Sequence, residues 1–238
     1  MQRRIPRFYM ARFPITYKQF QAFLDDPKGY TNEQWWKGVA QCETAPGDQA
    51  FKFWNHPRER VSWYEAMAFC AWLNARSHTV VPQHLATLAQ HHPDRDLWDG
   101  LASGRYTVRL PTQSEWEKAA RGSDQRIYPY RNTFDGTKGN TDETKIGLTS
   151  AVGIFPHAPS PYKVEELSGN VWEWTLTEWE SQRNDTLHNE SARVLRGSWL
   201  NAPRVARAAS RAYDHPLNRS YNYGFRVVVG SAPKGSDS

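Results

Sequence analysis

Three stretches of the chain carry helical hydrophobic spacing behind the same kind of start signal. In IPRFYMARFPITYKQFQAFL an extended apolar run leads into a helix, with Thr16 as N-cap, Gln19 three positions on, and Ile15 placed to pack on Phe20. A hydroxyl at the N-cap and a Glu or Gln at the third helical position satisfy each other's backbone donors, and the flanking apolar pair fixes the entry angle. The device recurs at Ser62 and Glu65, ahead of Ala66, Phe69, Cys70 and Leu73 on one face, and at Thr112 and Glu115, where Gly122 ends the pattern. Between these helices the chain is rich in Gly, Pro, Asn and Asp, which predicts short strands and more irregular than regular structure. Trp172 and Trp174 alternate with polar neighbours and read as core pillars.

Composition adds limits to this picture. With 238 residues and 39% hydrophobic content the chain suits one domain with a buried core, and its 11 Trp can hold irregular backbone in place. The mean hydropathy of -0.78 and the absence of a long apolar run argue against a membrane span. Met1 is followed by Gln2, Arg3, Arg4 and Ile5 with no apolar stretch of the secretory kind, so a cytoplasmic location is expected. Two cysteines make no disulfide framework, and Cys70, inside AMAFCAWL, is expected to be a buried free thiol. The net charge of +5 and the cluster of Arg204, Arg207 and Arg211 raise the question of nucleic acid. Arginines that donate to carbonyls and carboxylates to anchor loops explain them better, and no nucleic-acid partner is expected. Residues 78–106 contain His84, His91, His92, Asp94 and Asp96, but HHPDRD has no helix-phased or cysteine-containing ligand pattern, and solvated side chains are the reading.

The segment Arg193 to Val229 has a different character, a fixed set of Arg, Gly, Trp and Phe around freer positions. Arg196, Gly197, Ser198, Trp199, Arg207, Ala209, Arg211, Pro216, Arg219, Gly224, Phe225 and Arg226 resemble the C-terminal signature of the formylglycine-generating-enzyme family. PITYKQFQAFL, RVSWYEAMAFCAWLN, VRLPTQSEWEKAARG, LSGNVWEWT and RVLRGSW occur in that family's order, so the resemblance covers nearly the whole chain. It implies an α+β, loop-rich C-type lectin fold over residues 1–231, with 78–106 as an insertion and 232–238 as a disordered tail.

The resemblance also implies what should be missing. Catalytic members carry a copper-binding cysteine pair after the RGGSW-like motif, whereas this chain has Asn201 at the position that aligns with the first cysteine, and Cys42 and Cys70 lie far upstream. Only a thiolate supplies both soft ligand and nucleophile, so the expectation is a protein that is not an enzyme and needs no cofactor. The layout is most similar to the variable proteins of diversity-generating retroelements, whose randomised positions exclude Lys, Glu, Gln, Met and Trp. The spacers Leu200, Asn201, Ala202, Val205, Ser210, Ala212, Tyr213, Asp214, His215, Leu217, Asn218, Ser220, Tyr221, Asn222 and Tyr223 contain none of the five. Tyr supplies rigid amphipathic area and Ser, Asn and Asp adaptable hydrogen bonds, the chemistry of a paratope. This points to a ligand that is itself a protein, bound by a monomer. An ordinary surface meander would also be rich in Asn, Asp, Ser and Pro. Rival readings are a metal-dependent oxidoreductase of the formylglycine-generating or sulfoxide-synthase type using a non-cysteine site, and a plain interaction module. Finally, EELSGNVWEW resembles the family's calcium turn. The resemblance implies either a structural calcium on Glu166 and Glu173 carboxylates and Gly169 and Val171 carbonyls, or Glu173 paired with a framework arginine. A second family calcium site, near Asn140 and Thr141, is expected to be lost.

Overall fold

All three start signals close as expected in the computed structural model, which describes residues 5–39, 44–155, 157–186, 190–197 and 203–233. Helix α1 (Tyr17–Asp25) opens on a full capping box, Thr16 N–H donating to Gln19 Oε1 at 2.9 Å and Gln19 N–H to Thr16 Oγ1 at 3.3 Å. It buries Phe20 and Phe23, which meet Phe69 at ring distances of 5.6 and 5.7 Å. Helix α2 (Trp63–Thr87) is capped by Ser62 and Glu65. It runs on through Pro82 into the insertion, so the second helix is longer than its amphipathic core face suggests. Helix α3 (Arg95–Ala102) folds back along it: Val81, Leu101 and Val108 form a satellite core, and the His84 ring lies 4.5 Å from Trp98. Helix α4 (Gln113–Arg121) has the third capping box and ends at Gly122, whose φ of 66° belongs to the left-handed region that glycine enters without a Cβ penalty.

The strands are short. A three-stranded antiparallel sheet has the order β1 (Phe8–Met10), β7 (Val228–Gly230), β2 (Thr107–Arg109), so the two ends of the domain pair, Met10 opposite Val228. The second sheet has the order β5 (Ala212–Asp214), β4 (Arg193–Arg196), β3 (Trp172–Glu178), β6 (Tyr223–Gly224), with β3 and β6 parallel. Trp172 and Trp174 of β3 are buried in the main cluster with α1 and α2, as pillars should be. Indole N–H groups secure this core to the backbone: Trp63 donates to the Thr175 carbonyl and Trp174 to that of Val61.

Among the described residues four arginines are fully buried, Arg58, Arg193, Arg196 and Arg226, with Arg109 nearly so. Burying a cation is costly without partners, and here aromatic faces and carbonyls supply them. Arg193 lies 4.4 Å over Trp63 and Arg196 4.8 Å over Trp116. Arg193 also donates to the Leu176 carbonyl and Arg196 to that of Ala208. The loop-anchoring role expected of Arg204, Arg207 and Arg211 is thus filled by other arginines, because Arg204 and Arg207 are exposed and Arg211 lies on an indole at the surface.

Candidate functional site

The C-terminal spacers fall around edge strand β5 and the loop that follows it, residues 215–222. Alternation along the strand decides which of them face out. Ala212 turns inward onto the main core, and Tyr213 turns outward and is 56% exposed. Its ring lies flat on Trp179, 4.4 Å between centroids at 27°, and the guanidinium of Arg211 sits 4.6 Å over the same indole. Arg211 is held in turn by the side-chain oxygens of Gln113 and Gln182. The exposed tyrosine is therefore rigid before any ligand arrives.

Asp214 organises the loop. Its Oδ1 accepts from the His215 backbone and from the Asn218 amide, and its Oδ2 accepts from the Tyr223 hydroxyl at 2.7 Å. Burial, reinforced by that bond, raises the Tyr223 hydroxyl well above its ordinary pKa, so it stays a donor. The far end of the loop is tied down by Ser220, whose carbonyl accepts from Arg60 and Tyr223 N–H groups, and by Arg219, which pairs with Glu65. His215, Leu217, Asn218 and Tyr221 remain exposed between these ties.

Several expected contact residues have other duties. Asn222 is 5% exposed, and its carbonyl accepts from Trp172 N–H at 2.6 Å to join β6 to β3. Val205 and Tyr223 pack on the main core, and Ser210 closes a local turn by donating to the Arg204 carbonyl. Leu200, Asn201 and Ala202, with Ser198 and Trp199, lie outside the described residues. The spacer set thus narrows to an outward group of Tyr213, His215, Leu217, Asn218 and Tyr221, with Asp214 as its internal brace. Trp179, Gln113 and Gln182 belong to the same face but come from elsewhere in the chain. Only an indole left unassigned after β3 could have pointed to Trp179.

The turn expected to hold calcium is assembled differently. The carbonyls of Gly169 and Val171 do converge, since a Cβ on Gly197 would stand 3.6 and 2.8 Å from them. The carboxylates do not join them. Glu173 accepts from Arg226 on both oxygens at 2.6 Å and from Trp116 Nε1 at 2.7 Å, in a fully buried ion pair. Arg226 Nη2 also donates to the carbonyls of Glu165 and Glu166, so the Glu173 carboxylate is already neutralised by a fixed cation. Glu166 accepts from Gly153 N–H and Asn170 Nδ2, both at 3.1 Å, and burial pushes its carboxyl up to about 7. These donor sets do not fit calcium, which takes six to eight free oxygens. No cluster of three or more His, Cys, Asp or Glu suited to a metal occurs among the described residues, the 78–106 insertion included.

Hercynine oxygenase from Mycobacterium tuberculosis is 29% identical over 94% of this chain and 53% of its own length. The chain therefore spans about half the length of these curated relatives. An inactive C-alpha-formylglycine-generating enzyme 2 from Bos taurus is 27% identical over 94% of this chain and 77% of that protein. Among solved structures, Treponema denticola variable protein 1 superposes with a TM-score of 0.62 over 95% of this chain and 84% of that one, at 21% identity. That likeness shows the fold, and it agrees with the loop-rich α+β C-type lectin architecture expected from the sequence.

One expectation is overturned. The missing cysteine pair led to the reading that the chain is not an enzyme, yet relatives matched along nearly its full length carry the name of an oxygenase. The absence of that cysteine pair bears only on chemistry that needs thiolates there. A metal held by other ligands is untouched by it. Matched over residues 1–231, the chain belongs to the sulfatase-modifying factor enzyme 1-like domain family.

Proposed function

We propose that this domain recognises a ligand through the face made by Tyr213, His215, Leu217, Asn218 and Tyr221. The observation that carries it is an exposed tyrosine immobilised on Trp179 at 4.4 Å, next to a loop pinned from within by Asp214. A ring already fixed loses little freedom on binding, and preorganisation of this kind is what raises affinity for a given contact area. Exposed positions held by a separate buried framework can also change without unfolding the domain, the demand that diversification makes of a scaffold. We read the segment on that basis as a diversified, protein-binding surface of the retroelement type. The test is the DNA flanking the coding region for Arg193 to Val229. An adenine-biased near-copy whose mismatches fall at the codons of the outward group supports the reading, and mismatches concentrated at Asp214, Asn222 and Tyr223 overturn it.

The match to hercynine oxygenases favours a second reading, in which the same face positions a small substrate for oxidative chemistry completed by chain or metal beyond this domain. Hercynine is then the probe. Titrated to about 10 mM, a weak-binding limit, it should quench the Trp179 fluorescence of the wild type and leave a Trp179→Phe variant unchanged. Equal responses in the two proteins would remove the face from that role.

A further inference from the structure

A concavity formed by residues 130–136, Lys138 and His157 lies apart from the outward group of the C-terminal face. It has a volume of about 840 Å3 and is lined by Tyr130, Arg131, Phe134, Asp135, Lys138 and His157, among others. That is within the usual range for small-molecule sites. One wall is a rigid aromatic stack, with Tyr128 parallel to Tyr130 at 5.6 Å and edge-on to Phe134 at 5.6 Å. The stack is anchored from behind, where the Tyr128 hydroxyl donates to the Pro203 carbonyl and Ala208 N–H to that of Ile127.

The charge is unbalanced in one direction. Arg131 and Lys138 make no side-chain hydrogen bond or salt bridge within the described residues, and His157 has no partner either. Asp135 is the one acid of this lining; its Oδ1 is committed to the backbone and hydroxyl of Thr137, and Lys138 lies within its field without a hydrogen bond, which leaves the Arg131 charge uncompensated. The neighbouring Arg126 is neutralised by Asp124. Several other arginines are paired with carboxylates, as Arg109, Arg121 and Arg226 are with Glu115, Glu117 and Glu173, whereas Arg204 and Arg207 stand exposed outside this hollow. Unpaired cations gathered in a hollow against a flat aromatic wall suit a ligand that brings its own negative charge and a planar ring.

We propose that this concavity is a second binding site, independent of the C-terminal face, for a phosphoryl group, carried as a rule on a planar ring compound. Arg131 and Lys138 hold the phosphoryl oxygens, His157 adds a donor, and the Tyr130 face receives the ring. Both cations are solvent-accessible, so removing them leaves the fold intact. The test is calorimetric titration of the full chain with inorganic phosphate, adenosine 5′-monophosphate and adenosine, at low salt. The monophosphate should bind, adenosine should bind roughly tenfold more weakly or not at all, and R131A/K138A should lose roughly tenfold or more in affinity, the scale of charge-assisted hydrogen bonds. Tyr213→Ala should change nothing, which separates this site from the recognition face. If phosphate binds as tightly as the monophosphate, the phosphoryl site stands and its ligand is the free ion. Absence of binding by both, equal binding of adenosine and its monophosphate, or an unchanged R131A/K138A variant would overturn the proposal.

Discussion

Replacing Glu166 by Gln should abolish a loss of stability that the wild type undergoes as pH rises from about 4.5 to about 7. Glu166 is 7% exposed, and neither of the nearby cations is free to pair with it: Arg12 is engaged by Glu165 and Arg226 by Glu173. Burial is the largest cause of its raised pKa. Bonds from Gly153 and Asn170 and the field of Arg226 pull it part of the way back, while Glu165 pushes it up again. The folded protein thus holds a proton at Glu166 up to about pH 7, whereas the unfolded chain releases it near 4.5. Where the native state binds more protons than the unfolded state, stability falls as pH rises. The loss begins near the unfolded value, grows through the neutral range and is complete above about 7. At 1.36 kcal/mol for each tenfold, the gap amounts to about 3 kcal/mol. Gln cannot ionise, and it exchanges one acceptor oxygen beside Asn170 for a donor, a pH-independent cost of about 1 kcal/mol. The informative quantity is therefore a difference of differences. In urea unfolding, the stability of the wild type relative to Glu166→Gln should drop by about 2.5 kcal/mol between pH 5 and pH 8, part of the loss having already occurred by pH 5, which is roughly 5 to 10 °C in Tm for a chain of this size. Parallel profiles for the two proteins would refute the argument.

Other perturbations test the remaining links. Arg226→Met strands a fully buried Glu173 carboxylate and should cost about 3 to 5 kcal/mol, with Glu173→Gln in the same chain recovering part of it, as read by urea unfolding. Thr112→Ala removes the side-chain cap of α4 and should cost about 1 kcal/mol. Because Arg226 fills the space between Glu173 and the Glu165 and Glu166 carbonyls, calcium should leave the melting temperature unchanged. A rise on adding calcium would show that the guanidinium moves aside. Trp179→Ala should loosen Tyr213 and Arg211 with a stability loss near 1 kcal/mol, and it should weaken ligand capture by the outward face far more than the folded state.

What could be read from the chain and what could not divide along sequence distance. The capping boxes at Thr16, Ser62 and Thr112 are contracts between residues three apart, so the sequence alone predicts them and the helices they start. Trp172 and Trp174 follow in the same way from strand alternation. The outward group of the candidate site was only partly legible. Alternation in β5 separates Ala212 from Tyr213, but Asn222 is turned inward by its bond to Trp172, a partner 50 positions away on β3. Trp179, Gln113 and Gln182 reach the face only through tertiary packing, and no local pattern announces them. The same holds for Glu173. Its neighbours in sequence form a turn with oxygen donors, which reads as a metal site, and the decisive partner, Arg226, lies 53 positions downstream.

That placement of Arg226 also bears on how the recognition face can tolerate change. The guanidinium joins four separated pieces of chain: the Ala11 and Arg12 carbonyls, those of Glu165 and Glu166, the Glu173 carboxylate and its own strand approach at Phe225 and Arg226. Arg196 and Arg193 do similar work from β4, donating to carbonyls while covered by Trp116 and Trp63. All three are fully buried, and none of these partners belongs to the outward group. Stability is therefore concentrated in buried arginines whose partners are largely backbone carbonyls, and carbonyls do not change when side chains do. A randomised outward group should then keep the wild-type melting temperature to within a few degrees, the effect of about 1 kcal/mol. The same randomisation at Asp214 and Tyr223 should unfold a large share of clones, because their bond braces the loop from within. Thermal melts of the two libraries, clone by clone, decide it. If both lose stability alike, the arginine framework does not insulate the face, and diversification of this surface would come at the expense of the fold.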